Sequence, residues 1–168
     1  MSDDSSNGGG GTGEAAEQAR PAPQIRMLSQ YVKDISFESP RPPRQLPHAI
    51  EAPRININVN ANAIPLDEAR TQFEIELKLE ARATKDDEVV FIAELAYGAV
   101  IQLINVGDDI KQPLTLIEGP RIIFPFARRI LADLVRDGGF PPLMVDPIDF
   151  AALYRSHLAR QQATAAQA

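Results

Sequence analysis

From Thr71 to Ala83 the chain alternates almost without exception. Phe73, Ile75, Leu77, Leu79, Ala81 and Ala83 point one way, and Gln72, Glu74, Glu76, Lys78, Glu80 and Arg82 point the other. Period two over this length specifies a long β-strand with one face in a core and one in water. Thr84-Lys85-Asp86-Asp87 is a turn by composition, so an antiparallel partner should follow at once, and Glu88 to Ile101 supplies it. The partner is apolar at every odd position from Val89 to Ile101, yet it also carries Val90, Ile92 and Val100 among the even ones, beside Glu88 and Glu94. A strand apolar on both faces is either covered on both or exposes hydrophobic surface for a purpose. Gly98 within it signals a bulge or a close backbone approach.

Two more strands precede this hairpin. Arg54 to Ile64 sets Ile55, Ile57 and Val59 against Asn56, Asn58, Asn60 and Asn62, a solvated face suited to a sheet edge. Met27 to Glu38 assigns Tyr31, Ile35 and Phe37 to one face and Val32, Asp34, Ser36 and Glu38 to the other. Five prolines between Pro40 and Pro53 make the connection an extended crossing loop.

After Ile101 the period lengthens. Asp108 is placed to cap a short helix through Ile117. Gly119-Pro120 opens a longer element to Asp137, in which Pro125 implies a late start or a kink. Its expected inward stripe is Phe126, Ile130, Leu131, Leu134 and Val135, and Gly138-Gly139 ends it. Asp146-Pro147 signals a last helix to about Arg160, with Phe150, Leu153, Tyr154 and Leu158 inward. The expected fold class is α+β, a four-stranded antiparallel sheet followed by helices packed on one face. Such helices cover one sheet face only, so association is expected to protect the rest.

Composition narrows the function. Residues 1–24 are Gly- and Ser-rich and 161–168 are polar, so both are expected to be disordered around a domain spanning 25–160. With no cysteine and only His48 and His157, thiol chemistry is excluded and a His-based metal site or a Ser-His-Asp triad is disfavoured. No nucleotide-binding or hydrolase motif occurs, so neither catalysis nor a cofactor is expected. A net charge of −6 argues against nucleic-acid binding. Without a run of 18 apolar residues or a signal-like N-terminus, membrane insertion and secretion are not expected either, and the cytoplasm is the default compartment. Residues 67–94 hold nine acids against four bases, a net of −5 concentrated on the hairpin. Excess acid there serves solubility, or it steers a basic partner. Taken on residues alone, the chain is an oligomeric binding protein. The rival readings are a small-molecule-binding or enzymatic α+β oligomer, and a purely structural assembly subunit.

The strings YVKDISFESP (31–40), EVVFIAELAYGAVIQL (88–103) and GPRIIFPFARRILADLVRDGGFPPLMVDPIDFAALY (119–154) resemble SecB, the bacterial protein-export chaperone family. The likeness runs in order through residues 25–160. It implies a homotetramer assembled as a dimer of dimers, with sheets outside and long helices between. It further implies an ATP-independent chaperone that needs no cofactor, holds unfolded precursor proteins export-competent and delivers them to the translocase motor SecA. Family client grooves map onto Ile55, Ile57, Phe91, Tyr97 and Phe126, with ordinary core packing the alternative for Phe91 and Phe126. The SecA-docking face maps onto Asp34, Glu38, Ile92 and Glu94, a setting suited to the small, basic, zinc-bound C-terminal segment of that partner; the zinc is the partner's. The crossing loop lacks the Trp of well-known members, and the tail from Tyr154 is basic here, so its contact with SecA carries over only weakly.

Overall fold

The structure is a computed structural model that describes residues 21–40 and 52–166. Most of the expected leader and the centre of the crossing loop, including His48, lie outside the described residues. Strands β1 (Gln24–Glu38), β2 (Arg54–Pro65), β3 (Gln72–Lys85) and β4 (Glu88–Ile104) form one antiparallel sheet in the order β1-β4-β3-β2. Helices α1 (Asp108–Pro113), α2 (Gly119–Asp137) and α3 (Phe150–Ala166) follow, with π-helical turns at Leu114–Glu118 joining the first two. The α+β class expected from the sequence is the one found.

The core is the inner sheet face. Along β3 every second side chain from Phe73 to Ala83 is buried, and β4 contributes Phe91, Ala93, Leu95, Tyr97, Ala99, Ile101 and Leu103. Full burial of a single Leu or Ile is worth about 1.5–3 kcal/mol, so this hairpin dominates the fold's stabilisation. Its turn is the two residues Asp86 and Asp87, with φ of 50° and 61°, as the right-handed twist of the strands requires. Against this face α2 lays Ile123, Phe124, Ala127, Leu131 and Val135.

Several expectations are corrected. Phe124 occupies the inward position assigned to Phe126, packing edge-on against Phe150 at 5.8 Å, while Phe126 is 47 % exposed. Leu131 and Val135 face the core as expected; Phe124, two turns before Leu131, shares their face, whereas Phe126 falls nearly opposite them on a helix that runs unbroken from Gly119 through Pro125. Pro125 is tolerated on the exposed side, where Arg121, whose carbonyl loses its partner, is exposed as well. Gly107, not Asp108, takes the cap position of α1, and Asp108 instead pairs with Lys111 at 2.7 Å. Asp146-Pro147 does not start α3. Leu143 and Val145 are buried from an extended segment, and Asp149 caps the helix by accepting the Ala152 N–H at 2.9 Å. The helix then continues past Arg160 to Ala166. Val90 is not on the open face either: it sits in a register shift between Thr84↔Val89 and Ala83↔Phe91 and is 6 % exposed.

The largest departure is in β1, whose register against β4 slips between Met27 and Ser29 and again between Val32 and Asp34. Leu28 and Lys33 are therefore bulge residues, and the segment between them has its faces exchanged. Phe37 and Ile35 remain inward, opposite Ala93 and Leu95, but Tyr31 turns outward over Gly98. A Cβ at Gly98 would lie 2.8 Å from the Tyr31 ring and 3.1 Å from Lys33 Cδ. This is the close approach that a glycine within the strand signalled. Across Gly98 the Tyr31 hydroxyl donates to Glu74, and Lys33 Nζ reaches Glu74 at 3.0 Å and Glu76 at 2.7 Å. Lys33 and the Tyr31 hydroxyl hold both carboxylates below the ordinary glutamate range. The hydroxyl leads for Glu74 and Lys33 for Glu76, and together the two carboxylates push Lys33 above the ordinary lysine value.

Two outcomes follow from this packing. Gly138 closes α2 with Phe37 so near that a Cβ would lie 2.2 Å from its ring. Gly138→Ala should therefore displace Phe37 from its stack on Phe91 and Phe140 and cost about 1–3 kcal/mol in urea unfolding. An unchanged midpoint would contradict the contact. The depressed carboxylates contribute stability fully above about pH 4.3 and lose it as pH falls through their folded values, whereas the Lys33 contribution is full below about pH 10.4 and lost on alkalinisation. Unfolding midpoints followed by circular dichroism should fall on acidification. The fall should be shallower in Lys33→Met, whose carboxylates have no ammonium to keep them ionised; equal slopes would count against the clamp.

Candidate functional site

Two surfaces collect the candidate residues. On the outer face of the sheet, β1 and β4 place Glu38 opposite Ile92, Ser36 opposite Glu94, and Asp34 opposite Ala96. The Ser36 hydroxyl donates to Glu94 at 3.4 Å. All four residues assigned to partner docking therefore occupy one corner of one face, with Asp34, Glu38 and Glu94 exposed and Ile92 half-buried. The alternation Asp34-Ser36-Glu38 was legible, and the opposing alternation Ile92-Glu94 supplied the other half.

The sequence did not single out Glu80. It is the direct register partner of Glu94 across the β3–β4 ladder, so two like charges stand opposite each other, an unfavourable arrangement on its own. Among the described residues no ion pair reaches Asp34, Glu38, Glu80 or Glu94. Ala96 lies in a shallow depression of about 470 Å³ whose walls include Asp34, Glu80 and Glu94 together with Lys33 and Lys78. Lys33 and Lys78 are already engaged with Glu76, so the unbalanced charge of the depression is negative. Chemically, the corner is a carboxylate-lined dent beside an apolar side chain, a fit for a cationic group carried next to a hydrophobic one.

The five residues assigned to client contact are not gathered in one place. Ile55, Ala83 and Phe91 form one row across β2, β3 and β4 on the inner face, with Ile57 in the next row opposite Ala81. Ile55 is 41 % exposed at the free edge of β2, but Phe91 is 2 % exposed, with ring centroids 5.7 Å from Phe37 and 4.9 Å from Phe140. Within this protomer Phe91 is core. Tyr97 is six residues further along β4, about 20 Å away, buried, its hydroxyl donating to Gln30 at 3.3 Å. Phe126 projects from the solvent side of α2, one turn from exposed Ile122.

What the structure does provide on this side is a groove of about 500 Å³ between β2, the π-helical turns and α3. Ile57, Val59, Ala61, Leu116, Leu153 and Tyr154 contribute its apolar lining, and His157 and Arg160 stand at its polar end. Beside it runs the unpaired edge of β2, whose main-chain groups face no neighbour in the sheet. The Asn-rich alternation pointed to this edge. Leu153, Tyr154 and Leu158 were expected to turn inward and are half-buried, so the helix that walls the groove is only partly engaged.

Comparison with known proteins fits this geometry. The family model described as preprotein translocase subunit SecB matches residues 17–161. The protein-export protein SecB of Maricaulis maris is 52 % identical over 151 residues, covering 90 % of this chain and 87 % of that protein. That of Parvibaculum lavamentivorans is 48 % identical over 168 residues, covering 100 % of this chain and 97 % of the relative. Among solved structures, a Mycobacterium tuberculosis SecB-like chaperone in complex with an antitoxin peptide superposes with a TM-score of 0.61 at 13 % identity, over 74 % of this chain and 90 % of that one, which speaks for the fold. With sequence matches of this extent joined to a sheet-then-helices architecture, the chain belongs to the SecB family of protein-export proteins.

Proposed function

We infer that this chain is an ATP-independent protein-export chaperone that holds unfolded precursors and passes them to SecA, working in the cytoplasm as a homotetramer rather than as an enzyme. The observation that carries the handover is the outer corner where Asp34, Glu38, Ile92 and Glu94 converge, Arg82 standing opposite Ile92 and none of the three carboxylates held in an ion pair among the described residues. A basic, zinc-bound segment of SecA is complementary to it in charge, and Ile92 gives that segment an apolar contact.

Client capture rests on different surfaces. A holdase must accept many sequences, so its contacts should be main-chain hydrogen bonds at a strand edge and apolar burial, neither of which depends on one side chain. The edge of β2 with Ile55 and Ile57 supplies the first, and exposed Phe126 with the groove beside Leu153 supplies the second. Phe91 and Tyr97 support this surface from beneath rather than lining it. The tetramer is supported by apolar residues left open on the protomer: Leu28, Val32 and Ile35 on β1, and Ile122 on α2, each between 41 % and 46 % exposed. Membership of a family of protein-export proteins does not favour a small-molecule or enzymatic reading.

The two faces separate experimentally. Light scattering should give about four times 18.4 kDa at micromolar concentration, and a stable monomer would overturn the assembly. Glu94→Lys should weaken SecA binding by roughly 1–3 kcal/mol in calorimetry, less at high salt, and leave suppression of precursor aggregation intact. Phe126→Ala should do the reverse, provided the variant remains a tetramer. Joint loss of both activities in Glu94→Lys would refute the division.

A further inference from the structure

We propose that Lys33 is a positioning residue for the acidic docking corner. It acts through the bulge it occupies, which seats Asp34 beside Glu94, and it confines unpaired negative charge to Asp34, Glu38, Glu80 and Glu94. The inference rests on the docking reading given above and deepens it.

Between the two bulges β1 is turned over, with Tyr31 outward, and at Lys33 it turns back so that Asp34, Ser36 and Glu38 face out and Ile35 and Phe37 face in. The downstream half is held by Phe37 on Phe91 and Phe140. The crossover itself has no such apolar anchor, because Val32 and Ile35 on either side are 43 % and 44 % exposed. What holds it is the reach of Lys33 across Gly98 to Glu74 and Glu76, with Tyr31 bonded to the first of these. Asp34 is the next residue in the chain, so the backbone that this clamp fixes is the backbone that aims its carboxylate.

The same contacts divide the outer face electrostatically. Glu74 and Glu76 are taken up by Lys33, and Glu76 also by Lys78 at 3.3 Å. Asp34, Glu38 and the opposed pair Glu80 and Glu94 are left without an ion pair among the described residues. A cationic partner is thereby directed to the carboxylates left unpaired at one corner of the outer face.

The test exploits a conflict of sign. Lys33→Met removes a positive charge next to the docking corner, so charge alone predicts tighter binding of a basic ligand. Positioning predicts binding about three- to tenfold weaker. The probe is the zinc-loaded C-terminal segment of SecA as a peptide, titrated calorimetrically into the full-length chain, with thermal midpoint and precursor holding recorded alongside. Lys33→Arg should restore affinity. In an Asp34→Asn background Lys33→Met should have little further effect, since its route runs through that carboxylate. If Lys33→Met does not fold, Tyr31→Phe, which loosens the same clamp at Glu74 with no change of charge, should show a loss in the same direction. Glu94→Lys in the same assay tests the docking reading: if it leaves affinity unchanged, that reading falls. If Glu94→Lys weakens the peptide while Lys33→Met (or Tyr31→Phe, where it stands in) binds as well as the parent or better, the positioning role falls alone.

Discussion

Everything in this protomer depends on burying one face of the β3–β4 hairpin. The inward side chains from Phe73 to Ala83 and from Phe91 to Leu103 are between 0 % and 7 % exposed, and α2 and the extended segment after it exist in their observed places because they cover that face. A single helical layer covers a single face. The outer face of the sheet, the edge of β2, the apolar residues of β1 and the solvent side of α2 are what remains, and each candidate contact surface comes from that remainder. Function here is a consequence of geometry: the protein binds with whatever its own core does not need.

The outer face shows how charge can be patterned within one sheet. Nine acids on and around the hairpin would repel a core-forming partner and attract any cation indiscriminately. The bulges in β1 bring one lysine over the strand between and pair it with two carboxylates of β3, at the cost of a glycine where a side chain would have packed. Surface ion pairs of this sort add little to stability. Their value lies in deciding which acids stay free.

Reading the sequence for these surfaces succeeded unevenly, for reasons that particular residues explain. Ile92 and Glu94 were legible as outward because they stand opposite Arg82 and Glu80, on the polar face of a cleanly alternating β3. Tyr31 was misassigned because a bulge leaves no mark in hydrophobic spacing: one extra residue reverses every face after it. Phe126 was misassigned because FPF offers two aromatics two apart, and only Phe124, two turns before Leu131, falls on the buried stripe. Phe91 belongs to both descriptions at once, in line with the groove residues on β2 yet closed off by Phe37 and Phe140. Glu80 was hidden because its importance is a cross-strand relation to Glu94, which a single strand's pattern does not contain.

Period-two alternation, turn composition and the proline-rich connection were enough to determine an α+β protomer with its hairpin, its edge strand and its helices in order, because each is set by interactions within a few residues of chain. Which acids are neutralised, which aromatics line a surface, and which way the middle of β1 faces were decided only by tertiary structure. Those properties depend on register between strands and phase between helix and sheet. A one-residue slip in either leaves local sequence preferences almost unchanged while reversing what the partner molecule meets.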